Sequence, residues 1–490
     1  MTRKKGLTIA LAFGCLAGLA ALAPPAEAAN IVLNVVDPPG VGFNDPTVVA
    51  PVGGNPHTTL GAQRQFVFET AALIWVAVLG SNVDIVIQSS FRPLACSPAS
   101  RVLGAAGTIQ IFANFGGADW PNTWHHSALA NHLAGVDLTP GPFDPGLLQP
   151  PFNDDIVAFF NGDIGVNPNC LTGLTWYNGV DNNAPGNAFD LLNVVLHEFG
   201  HGLGFANFIS DATGDLAFGI ADIYSVFSRD DTSGLHMNQM DRRQRRDAAV
   251  NTGNLVWDGP HVFAAVPGFL AGTPVVRVNA PPGIAGDYQA QTASYGLSLL
   301  PPPGATGDVV LYNDGVGPDP NDACNCPFVP PCLSFAPLDN SVASKIALIN
   351  RGACNFSLKS ALAQLSGAVG VVITNHLATG LPPMGGSDVI APTISSVGIS
   401  KADGDLIKAN LPGVNASLTA DPALGFAGAD ANGFVKLFAP DPVQPGSSVS
   451  HWDTTLTPNA LMEPFINSDL THSVRSPQDL TLELLRDIGW

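Results

Sequence analysis

The chain has 490 residues and a formal net charge of −20. This acidic balance excludes nucleic acids and anionic membrane surfaces as expected partners, and it suits an exported protein that must stay dispersed. The 52 glycines and 42 prolines, together with a charged fraction of only 12%, predict a loop-rich and β-rich structure of two or three domains.

The first 28 residues have the pattern of a secretory signal peptide. Basic residues 3–5 precede an apolar run from Leu7 to Ala23, and Ala26-Glu27-Ala28 is a small-x-small cleavage site. We therefore expect cleavage near Ala28 and a secreted, extracellular protein. Cys15 raises the alternative of a lipoprotein anchor, but the apolar run continues past it, which disfavours lipidation. No later run is apolar over a membrane-spanning length, so we expect no membrane anchor in the mature protein.

The residues that follow predict a sheet and a long helix. The expected strands are Asn30–Val36, Val83–Gln88, Thr108–Phe112 and Asp155–Phe160, and the expected helix is Gln63–Leu79. A second helix follows from Asp190, which gives an α+β layout in which the sheet backs that helix. Further helices are predicted at Gly214–Val226, at Met240–Val250 and at Asp479–Trp490.

The segment from Asp190 to Asn207, DLLNVVLHEFGHGLGFAN, carries the strongest functional signal. His197 and His201 are four residues apart, so they lie one turn above each other and both imidazoles can bind one ion. Glu198 between them is placed to act as a general base on a water molecule. The alternative is a chance match to the pattern. The chain has only five glutamates, which makes chance a poor explanation.

The character of the sequence changes at about Pro274. Short apolar strands are expected at Val275–Asn279, Val309–Tyr312, Ala347–Asn350, Val369–Thr374 and Ser396–Ile399, with a helix at Leu358–Leu365. The segment 345–375, KIALINRGACNFSLKSALAQLSGAVGVVITN, resembles the protease-associated (PA) domain in its strand, its Arg-Gly-x-Cys-x-Phe turn, its helix and its second strand ending in Asn. The resemblance covers about 274–420. It implies a β-rich accessory domain without catalytic residues that binds substrate segments or regulates access; the alternative is a simple spacer.

A catalytic zinc site uses three protein ligands and keeps one position open, so the two histidines need a partner. HEFGHGLGFAN resembles the extended metzincin pattern HExxHxxGxxH, and Gly204 matches its Gly. Asn207 occupies the position of the third histidine, however, and a neutral amide is a poor zinc ligand. The third ligand must therefore come from another part of the chain.

A second motif beyond the PA-like segment supplies a candidate. Ser450-His451-Trp452 is followed by Leu461-Met462. This arrangement resembles the leishmanolysin-type metzincins, in which the third histidine follows a long insertion and a Leu-Met forms the Met-turn beneath the metal. The resemblance implies that His451 is the third ligand and Met462 the Met-turn residue. An aspzincin-like site that uses Asp211, Asp215 or Asp222 stays open as the minor alternative.

Together these features predict an α+β fold, in which a metzincin-like zinc peptidase domain, a mixed sheet plus the active-site helix, is interrupted by a β-rich PA domain. The expected boundaries are 1–28 for the signal peptide, 29–273 for the first part of the peptidase domain, 274–420 for the PA-like domain and 421–490 for the part with the third histidine and the Met-turn.

Six cysteines remain beyond the signal peptide, and an even number favours disulfides in an exported protein. We expect one bridge between Cys96 and Cys170 and two bridges within the cluster of Cys324, Cys326, Cys332 and Cys354. Asp314, Asp319 and Asp322 could bind Ca²⁺, although an acidic loop is more often only solvated.

The predicted function is that of a secreted zinc endopeptidase. His197, His201 and His451 hold Zn²⁺, and Glu198 takes a proton from the attacking water and returns it to the leaving amine. Protein or peptide substrates are expected to lie extended along a sheet edge. The alternative is an exported binding protein with a non-catalytic metal site and a partner-binding PA domain. The intact Glu198 disfavours that alternative.

Overall fold

The computed structural model describes residues 29–97, 101–138, 154–293, 295–296, 299, 304–324, 338–352, 354–385, 392–467 and 469–490. The predicted signal peptide, residues 1–28, lies outside the described residues. In the part of the chain that is described, no helix is both long and apolar enough to cross a membrane. The fold is α+β, and it has two regions. We call residues 29–270 and 427–490 the discontinuous region, and residues 271–426 the inserted barrel.

The discontinuous region begins with short strands and helices. Its strands are β1 Ile31–Val35, β2 Ile85–Arg92, β3 Gly104–Thr108, β4 Ile111–Phe112, β5 Thr123–His126, β6 Ile156–Asn161, β7 Thr175–Tyr177, β8 Ala188–Asp190, β9 Ala221–Asp222, β10 Ser228–Asp230, β11 Leu235–His236 and β12 Leu255–Trp257. Its helices are α1 Leu60–Val76, α2 Ser127–Ala134, α3 Leu191–Leu203, α4 Tyr224–Phe227, α5 Arg242–Ala248 and α6 Pro260–Phe269.

The remaining elements belong to the inserted barrel and to the returning chain. The barrel contains β13 Gly272–Ala280, β14 Gly286–Thr292, β15 Ala305–Leu311, β16 Ile346–Asn350, α7 Phe356–Leu365, β17 Gly370–Thr374, β18 Ser395–Ile399, α8 Lys401–Ala409 and β19 Asn415–Phe426. The return to the discontinuous region adds β20 Val435–Lys436 and α9 Thr481–Asp487. Strand β20 pairs with β12, so the returning chain extends a sheet that the first segment began.

The main sheet of the discontinuous region has the order β1-β2-β6-β3. Strands β1, β2 and β6 are parallel, and β3 pairs antiparallel with β6 at the edge. Helices α1 and α3 pack against each other and against the sheet, and three fully buried rings join these layers. The ring centroid of Phe68 lies 4.6 Å from that of Phe160 and 6.0 Å from that of Phe199. Each such burial contributes roughly 1.5–3 kcal/mol, so α3 is held firmly on the sheet.

Two predicted elements of this region were wrong. The expected strand Thr108–Phe112 is divided, because the main sheet uses Gly104–Thr108 while Ile111–Phe112 pairs with β5 in another sheet. The expected helix Gly214–Val226 is replaced by a 3₁₀ turn at Ala217–Gly219, the strand β9 and the short helix α4. Buried Asp222 explains the second difference, since its carboxylate accepts backbone N–H groups of Phe208 and Ser225 and thereby holds an irregular turn.

The inserted barrel is closed, with the strand order β13-β14-β18-β17-β16-β15-β19. Strands β15 to β18 are parallel neighbours, and the other pairs are antiparallel. Its interior is filled by buried aliphatic side chains, and a second apolar cluster lies beneath α7. The five strands and the helix predicted after Pro274 are confirmed, whereas β14, β19 and α8 were not predicted.

The two ends of the inserted barrel lie side by side. Gly272 pairs with Phe426, and the N–H of Ala427 donates to the carbonyl of Ala271 at 2.9 Å. The N–H of Ala271 also donates to the carbonyl of Thr457 at 2.7 Å. The insertion therefore enters and leaves at one point, which is the condition under which a long insertion costs a fold little stability.

Each region contains one described disulfide. Cys96 bonds to Cys170 in the discontinuous region, as predicted, and Cys324 bonds to Cys354 in the inserted barrel. The second bond agrees with the expected pairing within the later cysteine cluster. Cys326 and Cys332 lie outside the described residues.

Candidate metal centre

Helix α3 carries the first two histidines of the candidate site. Asp190 caps the helix, because its Oδ1 accepts the N–H groups of Leu192 at 3.0 Å and Asn193 at 3.3 Å. Its other oxygen, Oδ2, lies 2.9 Å from Nε2 of His472. All thirteen residues of the helix are buried, and it ends at Gly204, which has a φ of +140° that favours glycine. The helix is thus fixed at its first turn and along its length.

The returning chain brings the third histidine to this helix. The imidazole Nε2 atoms of His197 and His201 are 3.1 Å apart, and each is 3.2 Å from Nε2 of His451. Trp452 anchors the segment, since it is fully buried with its ring centroid 5.0 Å from that of Phe205. Two residues separated by 250 positions in the chain, His201 and His451, therefore meet in one buried cluster.

Each histidine presents the same ring nitrogen to the centre of the cluster. The Nδ1 atoms of His197, His201 and His451 lie 2.7, 2.7 and 2.8 Å from the carbonyl oxygens of Leu461, Phe205 and Ser447. A carbonyl only accepts, so each Nδ1 carries the proton and donates it. Burial lowers the pKa of His197 to about 4 and that of His201 to about 3, and it holds the pKa of His451 well below its ordinary value. The three rings are therefore neutral, with Nε2 lone pairs that converge.

This donor set fits a zinc ion. Nitrogens at ~2.0–2.1 Å from a tetrahedral zinc ion lie about 3.3 Å from one another, close to the separations seen here. Neutral imidazoles whose other nitrogen donates to a backbone carbonyl are the form in which histidine binds zinc. Among the described residues, His197, His201 and His451 form the one group with the spacing of metal ligands.

The carboxyl group of Glu198 lies against the edge strand β3. The backbone N–H of Ala106 donates to this carboxylate, and burial raises the pKa of Glu198 to about 8. A Cβ atom on Gly104 would lie 2.6 Å from Oε1 of Glu198, so only glycine leaves room for the carboxylate there. A divalent cation nearby favours the ionised form of such a carboxyl group. The small residues of β3, which carried no signal in the sequence, thus shape the wall beside Glu198.

Met462 packs against helix α3 at Gly200. It is fully buried, and a Cβ atom on Gly200 would lie 2.8 Å from its Sδ. Gly200 stands between His197 and His201 in the helix, so the absence of a side chain there lets the methionine approach the helix backbone. The N–H of Trp452 donates to the carbonyl of Met462 at 2.9 Å, which ties this turn to the segment of His451.

The other candidate ligands are engaged elsewhere. The amide nitrogen of the Asn207 side chain donates to Asp211 at 3.2 Å, and its backbone N–H donates to Oγ of Ser450 at 3.2 Å. Asp215 pairs with Arg242 at 2.7 Å, and Asp222 accepts two backbone N–H groups. None of these three aspartates belongs to the histidine cluster.

The aspartates considered for calcium also have nearby partners. Asp314 and Asp322 accept backbone N–H groups of Val316 and Cys324, and Asp319 accepts the side-chain amide of Asn350. They are not grouped at metal-ligand spacing within the described residues. Calcium binding at this place stays a prediction.

Comparison with known proteins identifies one domain. Residues 305–407 match the family model of the PA domain, so the inserted barrel contains a PA domain. No curated protein matches the sequence.

Solved structures that share limited likeness with the chain include three of aminopeptidases. Two are structures of BSAP, a zinc aminopeptidase from Bacillus subtilis, with 22% and 18% identity over 31% and 32% of this chain and 30% and 36% of theirs. The third is the aminopeptidase from Aneurinibacillus sp. strain AM-1, with 17% identity over 40% of this chain and 41% of that chain. The TM-score is 0.22 in each case. The matched part of the chain thus covers less than half of the length of these proteins. This similarity does not assign their activity to the chain.

Proposed function

We propose that this protein is a zinc-dependent peptidase, specifically an endopeptidase whose centre is of the leishmanolysin-like metzincin type. The observation that carries the proposal is the convergence of three buried, neutral imidazoles at 3.1–3.2 Å beside a buried carboxyl group. His197, His201 and His451 would hold the metal, and Met462 would form the Met-turn beneath it.

Bound zinc supplies Lewis acidity, which lowers the pKa of water and polarises a peptide carbonyl. Glu198 takes the proton from the attacking water on its carboxylate and returns it to the nitrogen of the leaving amine. The buried walls around Glu198 exclude bulk water, which strengthens these interactions. The three backbone carbonyls hold the histidine rings in one tautomer throughout.

The substrate has a place to bind along β3. This strand is last in its sheet order. The carbonyl of Leu103 accepts the N–H of Asn161, and the N–H of Ile109 donates to the carbonyl of Asp155. The backbone N–H and C=O groups of the odd-numbered residues of this strand therefore point toward β6. The backbone groups of Gly104, Ala106 and Thr108 therefore face the other way, on the side of Glu198. A peptide that paired with this edge would lie extended across the candidate centre, an arrangement that suits cleavage within a chain.

Metal content and proteolysis test the proposal together. We expect the purified protein to contain about one zinc per chain and to cleave casein, with loss of cleavage after chelation. His451→Ala should lose zinc and activity, Asn207→Ala should keep both, and Glu198→Gln should keep zinc while activity falls by roughly 10²–10⁴-fold. If His451→Ala still binds zinc and cleaves casein, the assignment of the third ligand is wrong and Asp215 and Asp222 become the next positions to test.

Peptide substrates with blocked or free termini distinguish an endopeptidase from an aminopeptidase. A fluorogenic peptide blocked at both termini should be cleaved, since an endopeptidase needs no free amine. Cleavage of aminoacyl nitroanilides with no cleavage of the blocked peptide would instead define an aminopeptidase. Zinc binding with no hydrolysis of any substrate would favour the alternative of an exported binding protein.

The proposal also places the protein outside the cell. It rests on the sequence of residues 1–28, with cleavage near Ala28. Amino-terminal sequencing of the protein recovered from the medium of its host tests it. An uncleaved chain retained in the cytoplasm would contradict it.

A further inference from the structure

Asp479 is linked to His197, the first candidate ligand, through the backbone of Leu461. The ring of His197 donates from Nδ1 to the carbonyl of Leu461 at 2.7 Å, and the N–H of the same Leu461 donates to Oδ2 of Asp479 at 2.7 Å. Leu461 is 2% exposed and Asp479 is also 2% exposed. Two buried hydrogen bonds, one on each side of the Leu461 Cα, therefore link Asp479 with the imidazole of His197.

The other oxygen of Asp479 is fixed by the start of the last helix. Its Oδ1 accepts the N–H of Thr481 at 2.7 Å and is in close contact with the Thr481 hydroxyl group. The Thr481 side chain in turn faces helix α3, because its Cγ2 would lie 3.5 Å from a Cβ atom on Gly200. Both oxygens of Asp479 are thus occupied, and its orientation is determined from two sides.

We propose that Asp479 is a positioning residue for the metal centre, which holds the Leu461 backbone so that its carbonyl aims the Nε2 lone pair of His197 at the ion. This inference rests on the proposed zinc site. A ligand imidazole whose partner carbonyl can rotate loses part of its preorganisation. Removal of a group that hydrogen-bonds directly to a ligand typically weakens metal binding by roughly 10–100-fold, so we expect the lower end of that range for a carboxylate that acts through the Leu461 backbone. The turn from Asp479 into α9 requires only the bond of Oδ1 with the Thr481 N–H, so it leaves the contact of Oδ2 with residue 461 unexplained.

The same helix offers a matched control at its other end. The Asp487 carboxylate is buried and accepts the indole N–H of Trp257 at 2.9 Å and the backbone N–H groups of His261 and Val262 at 2.7 and 3.2 Å. It too joins α9 to a distant part of the discontinuous region, but none of these contacts leads to a ligand histidine. Loss of Asp487 should therefore lower stability without loosening the metal site.

Zinc affinity and thermal stability are measured on the full chain with Asp479→Ala, Asp479→Asn and Asp487→Ala. Competition with a fluorescent chelator, well below the melting temperature of each variant, gives the zinc Kd. We expect Asp479→Ala to raise the Kd about tenfold or more. Asp479→Asn should raise it less, because the amide oxygen can still accept the Leu461 N–H. Asp487→Ala should lower the melting temperature with a Kd close to that of the wild type.

Cobalt substitution gives a readout that general destabilisation does not change. At saturating Co²⁺, the d–d absorption reports ligand geometry, so Asp479→Ala should shift the band and Asp487→Ala should not. Equal Kd values and unshifted spectra for the two alanine variants would overturn the inference. Asp479→Leu, which keeps the branched shape of the side chain but accepts no hydrogen bond, replaces the alanine variant if that protein does not fold. Failure of the wild type itself to bind zinc would instead contradict the proposed function.

Discussion

The two regions of the molecule build their cores from very different stretches of sequence. The inserted barrel buries side chains from one uninterrupted segment, and its clusters contain residues 271–420 only. The core of the discontinuous region joins residues from 29 to 270 with residues from 429 to 488. The candidate metal centre lies wholly in the discontinuous region, and it joins both of its segments because His451 follows the inserted barrel in the sequence.

The candidate metal centre therefore depends on contacts between the two segments of the discontinuous region. A segment with its own core and adjacent ends can unfold or be altered without separating the histidines, whereas any loosening between the two parts of the discontinuous region pulls the third ligand away. Metal binding should therefore respond to damage in one region and be indifferent to equal damage in the other. Four experiments test this difference between the regions.

The largest effects are expected from removal of the disulfides. The Cys96–Cys170 bond spans 74 residues and the Cys324–Cys354 bond spans 30. By loop-closure entropy their loss costs roughly 4.5 and 3.7 kcal/mol. We expect the double variant Cys96→Ser, Cys170→Ser to lower the midpoint temperature of the calorimetric transition in which zinc is released. The double variant Cys324→Ser, Cys354→Ser should lower the midpoint temperature of a separate transition. A single transition shifted by both pairs would show that the regions unfold together.

Overpacking two glycines provides a smaller, matched pair of perturbations. A Cβ atom on Gly202 of α3 would lie 2.3 Å from Cγ2 of Ile156, and one on Gly370 of β17 would lie 2.8 Å from Cβ of Ala305. Overpacking of this kind costs about 1–3 kcal/mol. Urea unfolding should show that Gly202→Ala releases zinc at lower denaturant and that Gly370→Ala does not. Gly268→Ala, which meets nothing closer than 3.9 Å, is the control and should stabilise the protein slightly, because it lies at an exposed position of α6.

The pH dependence of stability should carry a contribution from the turn beside Met462. Burial, reinforced by Asp469 and Asp453, raises the pKa of Glu463 from 4.5 to about 9. The folded protein therefore holds this proton, and the stability it contributes is complete below about pH 4.5 and is lost as the pH rises toward 9.

Glu463→Gln mimics the protonated group and does not titrate. Its free energy of unfolding, relative to the wild type, should rise by about 2.5 kcal/mol between pH 6 and pH 8. Urea titrations at both pH values measure this difference, and the exposed Glu69→Gln controls for the loss of a carboxylate. A constant difference would mean that Glu463 is ionised in the folded protein.

Excision of the inserted barrel should have the smallest effect on the metal. The N–H of Ala427 and the carbonyl of Ala271 are already 2.9 Å apart, so a short glycine-serine linker can replace residues 272–426. We expect the zinc Kd to change by less than about threefold, because the barrel provides none of the ligands. A loss of zinc would show that the barrel holds the returning chain in place, and the contrast between the regions would fail.

Local patterns in the sequence were sufficient for much of the fold. The period of the HEFGH helix, its Asp190 cap and the strands of the PA domain depend on neighbours within a few residues, and these features were predicted. Strand β3 was missed because Gly104 to Thr108, GAAGT, has low β propensity. Its place is determined by the sheet and by the space that Glu198 needs, which only the folded structure reveals.

The candidate site divides in the same way. His197, Glu198 and His201 follow from helical spacing, but no local rule connects them with His451, which was found only through the resemblance of the Ser-His-Trp and Leu-Met segments. Asp479 carried no signal at all. Its significance arises from a hydrogen bond to Leu461, eighteen positions earlier, and a lone aspartate before a helix is indistinguishable from an ordinary cap.

The 250 residues between His201 and His451 also impose an order of events on the growing chain. Ribosomes add roughly 5–20 residues per second, so the second ligand leaves the ribosome roughly 10–50 s before the third. During that interval the nascent chain has two histidines and a base but lacks the last partner of the ion. The inserted barrel is synthesised during this interval, so its core can form before His451 is made. The metal site proposed here is therefore incomplete until synthesis has passed His451.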